Sequence, residues 1–74
     1  MLEKQDLIDL ASWSMPFGKY KGKTLIDLPE EYLLWFIKNG WPEGRLGYLM
    51  KICLEIKVDG SEAAIKDLRK TLAL

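Results

Sequence analysis

A short basic segment between residues 15 and 23 is the part of this chain best suited to contact a charged ligand. Lys19, Lys21 and Lys23 recur at every second position, and residues 15–25 contain no acidic residue. Ammonium groups in such a row can contact phosphates, with an expected log–log salt slope of about −2 to −3. The same lysines can instead protect an exposed edge strand from aggregation. The sequence leaves both interpretations open.

A second candidate anion site lies where Gly44 and Gly47 flank Arg45 at a predicted helix start. Backbone N–H groups at a helix N-terminus attract phosphate, and Arg45 would add a guanidinium donor. Two glycines also let a helix approach a neighbour closely, and this is the favoured interpretation of the spacing. Arg45 is nevertheless kept as a fourth candidate nucleic-acid contact beside the lysines.

The other chemically capable residues favour structural roles. The chain has no histidine and a single cysteine, Cys53, which lies on the apolar stripe of a predicted helix without a readable activating partner. Asp27, Glu30 and Glu31 fit a helix N-terminus, where capping and the helix dipole explain acidic residues. We therefore predict a protein that is not an enzyme, with no catalytic residue, no metal site and no cofactor. A hydrolase that uses those carboxylates is the least favoured alternative.

The composition indicates one small domain spanning residues 1–74. Eleven basic and eleven acidic residues cancel, whereas dedicated nucleic-acid binders are often strongly basic. A hydrophobic content of 49% is enough for a core without disulfides. No apolar run approaches the roughly 18 residues of a membrane span, and charges interrupt the N-terminus. We therefore expect a cytoplasmic protein with no membrane partner.

Hydrophobic periodicity and turn signals predict an α+β fold, mostly helical, with about four helices and one short β-hairpin. The hairpin covers the basic segment, because residues 21–22 carry a turn signal and residues 24–26 favour a strand. In an extended strand, Lys19 and Lys21 would share one face about 6–7 Å apart, with Tyr20 facing inward. The helices are predicted over residues 3–12, over residues 29–39, from the 41–44 segment to about residue 58, and from about residue 61 to 72.

Aromatic and apolar residues concentrate in the middle of the chain. Residues 32–37 are all apolar or aromatic, and a helix that is apolar on all sides is usually buried. Asp27 is the predicted cap of this helix. Trp13, Trp35 and Trp41 are predicted to lie in the core, with Trp41 the most exposed of them. The alternative is that they form a partner-binding patch or a surface on which bases stack.

Two patterns in the first half resemble a known bacterial family. Residues 17–23 give Phe-Gly-Lys-x-x-Gly-Lys, and residues 29–35 give Pro-x-x-Tyr-Leu-x-Trp. Together they resemble short proteins of unknown function labelled putative quorum-sensing-regulated virulence factors, over about residues 13–70. The family label implies no mechanism.

The first half is also similar to a small module appended to some DEDD-type exonucleases, including exodeoxyribonuclease X and relatives of the proofreading subunit of DNA polymerase III. This similarity implies a nucleic-acid context. It does not imply nuclease activity, because the exonuclease carboxylates lie in another domain, which this chain lacks.

We therefore predict a non-enzymatic accessory module that contacts nucleic acid or a nucleic-acid enzyme through a lysine-rich hairpin. The alternative is a protein-interaction or self-association module that uses exposed aromatics such as Trp41 or Trp35, with a link to quorum-sensing-regulated virulence. The residues assigned to the nucleic-acid contact are Lys19, Lys21, Lys23 and Arg45.

Overall fold

The structure, a computed structural model, describes residues 3–60. Three α-helices form the frame of this part of the chain. Helix α1 comprises Lys4–Ser12, α2 comprises Glu30–Asn39 and α3 comprises Gly44–Asp59. A short 3-10 turn, Leu25–Asp27, lies between α1 and α2. Within residues 3–60 the fold is therefore helical, with no strand and no sheet.

The predicted α+β class with a β-hairpin is wrong. Across the basic segment, one isolated antiparallel bridge joins Ser14 to Thr24, and no ladder extends from it. The bridge is flanked by a 2.8 Å hydrogen bond from the Met15 N–H to the Lys23 carbonyl. Residues 15–23, which we call the glycine–lysine loop, are thus closed at their base like a hairpin but are not extended within it.

Glycine explains why the loop coils instead of pairing. Gly18 and Gly22 have φ angles of 79° and 90°, which turn the chain in a direction that other residues rarely adopt. The N–H groups of Lys21 and Lys23 then bond to carbonyls three residues earlier, at 3.2 and 3.0 Å. These local bonds use the donors that a second strand would have needed.

The apolar residues that follow the loop are buried, as their type indicates, but their backbone is not extended. Leu25 and Ile26 are completely buried, but they lie in the 3-10 turn. β-propensity largely measures how well a side chain packs on a half-buried surface. The strand predicted at residues 24–26 is therefore wrong: the segment is buried in the core, but its backbone forms a 3-10 turn.

The helix limits agree with the prediction within about two residues, which is the usual uncertainty of helix ends. The predicted cap at Asp27 is wrong, because Asp27 lies in the 3-10 turn and Pro29 occupies the N-cap of α2. Glu30 and Glu31 do lie in the first turn of α2, where the helix dipole favours them. The fourth predicted helix, at about residues 61–72, lies outside the described residues.

Among the described helices, α3 is the one that packs against α2. Its Leu33 and Phe36 are buried at 0% and 5% exposure, whereas Trp35 and Ile37 are exposed at 57% and 61%. The predicted all-round burial of this helix is therefore wrong. The completely or almost completely buried apolar residues of the core are Leu10, Met15, Leu25, Ile26, Leu28, Leu33, Leu49, Met50 and Cys53.

Gly47 allows α3 to begin close to the turn that precedes it. A Cβ atom added at Gly47 would overlap the carbonyl oxygen of Pro42. The prediction that the glycine spacing serves close packing is confirmed at this position.

The Gly47→Ala variant tests this packing. Helix propensity alone would make alanine more stable by about 1 kcal/mol, whereas forced overpacking costs about 1–3 kcal/mol. We expect the clash to dominate and the free energy of unfolding to fall, as measured by urea denaturation. Lys51→Ala, at an exposed position of the same helix, is the control and should change stability little. A more stable Gly47→Ala protein would contradict the close approach.

Candidate functional site

The three lysines of the glycine–lysine loop all lie exposed on its surface. Lys19 and Lys21 belong to the turn region of the loop, so the spacing expected for a strand does not apply to them. The Lys19 ammonium nitrogen lies 5.5 Å from the centre of the Tyr20 ring, which is a cation–π contact. The lysines therefore form a basic surface around the loop.

Arg45 is directed elsewhere, towards helix α1. Its Nη2 atom lies 2.8 Å from Asp6 Oδ1 and 2.7 Å from Asp9 Oδ2, and its Nε donates to Asp9 Oδ2 at 2.9 Å. The structure thus pairs the guanidinium with two carboxylates of the same chain. The fourth residue of the predicted nucleic-acid contact is held as a link between α1 and α3.

Asp6 and Asp9 are buried acids, at 2% and 8% exposure, and each oxygen of their carboxylates accepts a hydrogen bond. The Tyr48 hydroxyl donates to Asp6 Oδ2 at 2.8 Å, and the Glu3 N–H donates to the same oxygen at 3.0 Å. The Gln5 amide donates to Asp9 Oδ1 at 2.8 Å. Bonds to the charged form stabilise the carboxylate ion. We call these residues, together with Arg45, the α1–α3 polar network.

The network shifts the acidity of its members. The Glu3 N–H and the Tyr48 hydroxyl lower the pKa of Asp6, with Arg45 as a further cause. Gln5 and Arg45 lower the pKa of Asp9. The bond to the Asp6 carboxylate raises the pKa of the Tyr48 phenol. All these directions favour the ionised pair at neutral pH, which indicates a structural link.

A second feature has the shape of a binding site. A groove of about 580 Å³ opens between the glycine–lysine loop and α2, and its lining is mostly apolar. We call it the aromatic groove. One wall comes from the loop and the other from the helix, and the lining residues are Phe17, Gly18, Lys19, Tyr20, Glu31, Tyr32, Trp35 and Phe36.

Interlocked rings form the base of the aromatic groove. Tyr20 meets Tyr32 with ring centres 4.7 Å apart, and Tyr32 meets Phe36 at 5.1 Å, both edge to face. Trp41, in the connection between α2 and α3, stacks on Phe36 with ring centres 5.6 Å apart. Desolvation raises the pKa of the Tyr32 phenol, so the hydroxyl stays protonated at neutral pH. Such edge-to-face and stacked pairs stabilise by about 0.5–1.5 kcal/mol beyond their burial.

The rim of the aromatic groove leaves two large rings exposed. Phe17 is 44% exposed on the loop and Trp35 is 57% exposed on α2. Trp41 is partly buried, because its ring stacks on Phe36 and packs against the core. The prediction that Trp41 is the most exposed tryptophan is therefore wrong.

Gly18 lets the loop wall stand close to α2. A Cβ atom at this position would lie 3.2 Å from the Tyr32 hydroxyl oxygen, and the φ angle of 79° already disfavours other residues. The Phe-Gly-Lys pattern of the sequence therefore marks a contact between loop and helix. It positions Phe17 and Lys19 on one wall of the groove.

Other candidate chemistry in residues 3–60 is structural. Cys53 is completely buried, and its thiol donates to the Leu25 carbonyl at 3.3 Å, in agreement with the predicted buried cysteine. Among the described residues, no group of three or more His, Cys, Asp or Glu side chains is arranged to hold a metal ion. None of the helices in this part of the chain has the length and apolar character needed to cross a membrane.

Acidification tests the α1–α3 polar network. Because folding lowers the pKa of Asp6 and Asp9 below the ordinary value of 3.8, their stabilisation is complete above that value and is lost as pH falls through the lowered folded pKa. Arg45→Met removes one cause of the lowering, so we expect its acid unfolding midpoint to move to higher pH in circular dichroism. Lys51→Met, which removes a charge from the exposed face of α3, is the control. An unchanged midpoint for Arg45→Met would contradict the link.

Known proteins resemble this chain over nearly all of its length. Two relatives from Escherichia coli, strains K12 and O157:H7, are both named Uncharacterized protein YpeB. Each is 54% identical over 72 residues, which cover 96% of this chain and 100% of the relative. No solved structure matches this chain.

The family resemblance noted in the sequence is confirmed, whereas the similarity of the first half to an exonuclease module is not shown by these matches. The profile of one family matches residues 3–68. This chain therefore belongs to the family described as "Putative quorum-sensing-regulated virulence factor".

Proposed function

We propose that this protein is a non-enzymatic interaction module whose aromatic groove binds an apolar segment of a protein. The observation that carries the proposal is the pair of exposed rings, Phe17 and Trp35, at the rim of a concave apolar site. Large aromatics beside a pocket are typical anchors of protein interfaces, where a few residues supply most of the binding energy.

Helix α2 also carries exposed apolar side chains outside the groove. Leu34 and Ile37 are 44% and 61% exposed and, being three residues apart, lie on one side of the helix. Adjoining exposed apolar side chains on one helix favour a protein partner, because binding them removes apolar area from water at about 25 cal/mol per Å². Phosphate and base contacts would make no use of two aliphatic side chains.

Charge also supports a protein partner. The formal net charge of the whole chain is zero, and the aromatic groove itself has one basic residue, Lys19, and one acidic residue, Glu31. A polyanion in the groove would be repelled by the Glu31 carboxylate on the helix wall. A polypeptide can place an opposite charge against each wall while an apolar side chain enters the groove.

A displayed peptide library, selected on immobilised protein, tests this proposal. We expect enrichment of sequences with an aromatic or aliphatic anchor, because the groove is apolar. Trp35→Ala should weaken the selected peptides by about 30-fold, which corresponds to roughly 2 kcal/mol for an interface anchor. The readout is peptide affinity by fluorescence polarisation.

The matched control is Val58→Ala, which removes an apolar side chain that is 67% exposed and does not line the aromatic groove. It should leave peptide affinity unchanged. Lack of any enrichment, or equal affinity of the wild type and Trp35→Ala, would remove the aromatic groove as the binding site.

The second candidate function is the contact with nucleic acid or a nucleic-acid enzyme that the sequence predicts. It is favoured by the exposed Lys19, Lys21 and Lys23 next to the exposed ring of Phe17. Bases that stack on aromatic side chains gain about 1–3 kcal/mol each, with lysines holding the backbone. Arg45 contributes less to this proposal than expected, because Asp6 and Asp9 already pair with it.

A fluorescent single-stranded oligonucleotide at low ionic strength tests the second candidate. If the lysines bind phosphate, changing Lys19, Lys21 and Lys23 together to Gln should weaken binding and flatten its salt dependence by about two slope units or more. The control changes Lys4, Lys38 and Lys51 to Gln, which removes the same charge from exposed positions outside the loop. Equal losses in both variants would mean that the loop is not the contact.

A further inference from the structure

We infer that the partner held in the aromatic groove is a second copy of this chain, related to the first by a twofold axis. This inference rests on the proposed function, since it takes the groove to be a protein-binding surface. The two walls of the groove carry opposite charges, with Lys19 on the loop wall and Glu31 on the helix wall.

Each of these charges is available to a partner. Both side chains are exposed. The salt bridges found within residues 3–60 involve Arg45, and Lys19 and Glu31 do not pair across the groove. The contact of Lys19 with the Tyr20 ring instead holds its ammonium group beside the apolar lining. A protein that docks here with a charge of the right sign on each side would neutralise both walls.

Twofold symmetry supplies those charges without a different partner. In a twofold interface, when residue i of one copy contacts residue j of the other, j of the first also contacts i of the second. A copy turned about such an axis places its Glu31 against Lys19, and its Lys19 against Glu31. Two ion pairs then form from one pair of residues, so the charges of the groove are complementary to themselves.

The apolar part of the surface fits the same arrangement. Phe17 stands exposed on the loop wall and Trp35 on the helix wall, so each copy offers both a ring to insert and a groove to receive one. A formal net charge of zero leaves no long-range repulsion between copies.

A charge-reversal series in analytical ultracentrifugation tests this inference. Lys19→Glu places two acidic residues opposite each other at both symmetric contacts, and Glu31→Lys places two basic residues there. We expect each single variant to raise the dimer dissociation constant by about ten-fold or more, since like charges across an interface are costly. Trp35→Ala should have the same effect through loss of apolar contact.

Restoration by the opposite change is the decisive part of the series. The double variant Lys19→Glu with Glu31→Lys re-forms both ion pairs with exchanged signs, and its dimer should regain the wild-type dissociation constant to within about three-fold. A mixture of the two single variants should form a heterodimer more tightly than either variant dimerises with itself. The control pair Lys51→Glu and Glu55→Lys makes the same charge changes on α3 at exposed positions outside the groove. Neither should change the dissociation constant.

The outcomes separate this inference from the proposed function. A wild type that stays monomeric at millimolar concentration, or single variants that associate like the wild type, would overturn the dimer. If peptides still bind in a Trp35-dependent manner in that case, the groove remains a protein-binding site with another occupant. A monomer whose groove binds only a single-stranded oligonucleotide would overturn both.

Discussion

One guanidinium shared by two buried carboxylates is the constraint on which the rest of the described structure depends. Asp6 and Asp9 are buried while ionised, which is unfavourable unless a cation and hydrogen-bond donors accompany them. Arg45, from the start of α3, supplies the cation. This pairing fixes α1 on α3. Because α1 leads directly into Trp13, whose carbonyl accepts the N–H of Leu25, it also fixes the base of the glycine–lysine loop.

The aromatic groove follows from how few elements are available to cover α2. Helix α3 packs against one side of α2, and the glycine–lysine loop approaches another through Gly18 and Tyr20. The strip between loop and helix remains open, with rings at its base and Trp35 at its rim. The lining of this groove offers apolar surface and few charged groups. The groups with shifted pKa values have structural roles. Tyr32 packs at the base of the groove, and Asp6, Asp9 and Tyr48 belong to the α1–α3 polar network.

Local patterns predicted what local physics decides. Apolar stripes and stop signals located all three described helices, and the position of Cys53 on an apolar stripe predicted its burial. The hairpin was wrong because β-branched and apolar residues at 24–26 reported burial and not backbone shape. The partners of Arg45 lie 36 and 39 positions away, so no spacing in the sequence reveals them. The exposure of Trp35 over Trp41 likewise depends on which side of α2 the third helix covers, which is a tertiary choice.

The closure of the glycine–lysine loop has a consequence for how this family can diverge. The bonds that close it run between main-chain atoms, from Met15 to Lys23, from Gly22 to Met15 and from Leu25 to Trp13. Every amino acid except proline can make such bonds, so the side chains at 19, 21 and 23 are dispensable for the loop's shape. These positions can therefore change in side-chain chemistry while the main-chain bonds keep the loop closed. Gly18, by contrast, is constrained, because its φ of 79° disfavours other residues and an added Cβ atom would lie 3.2 Å from the Tyr32 hydroxyl oxygen.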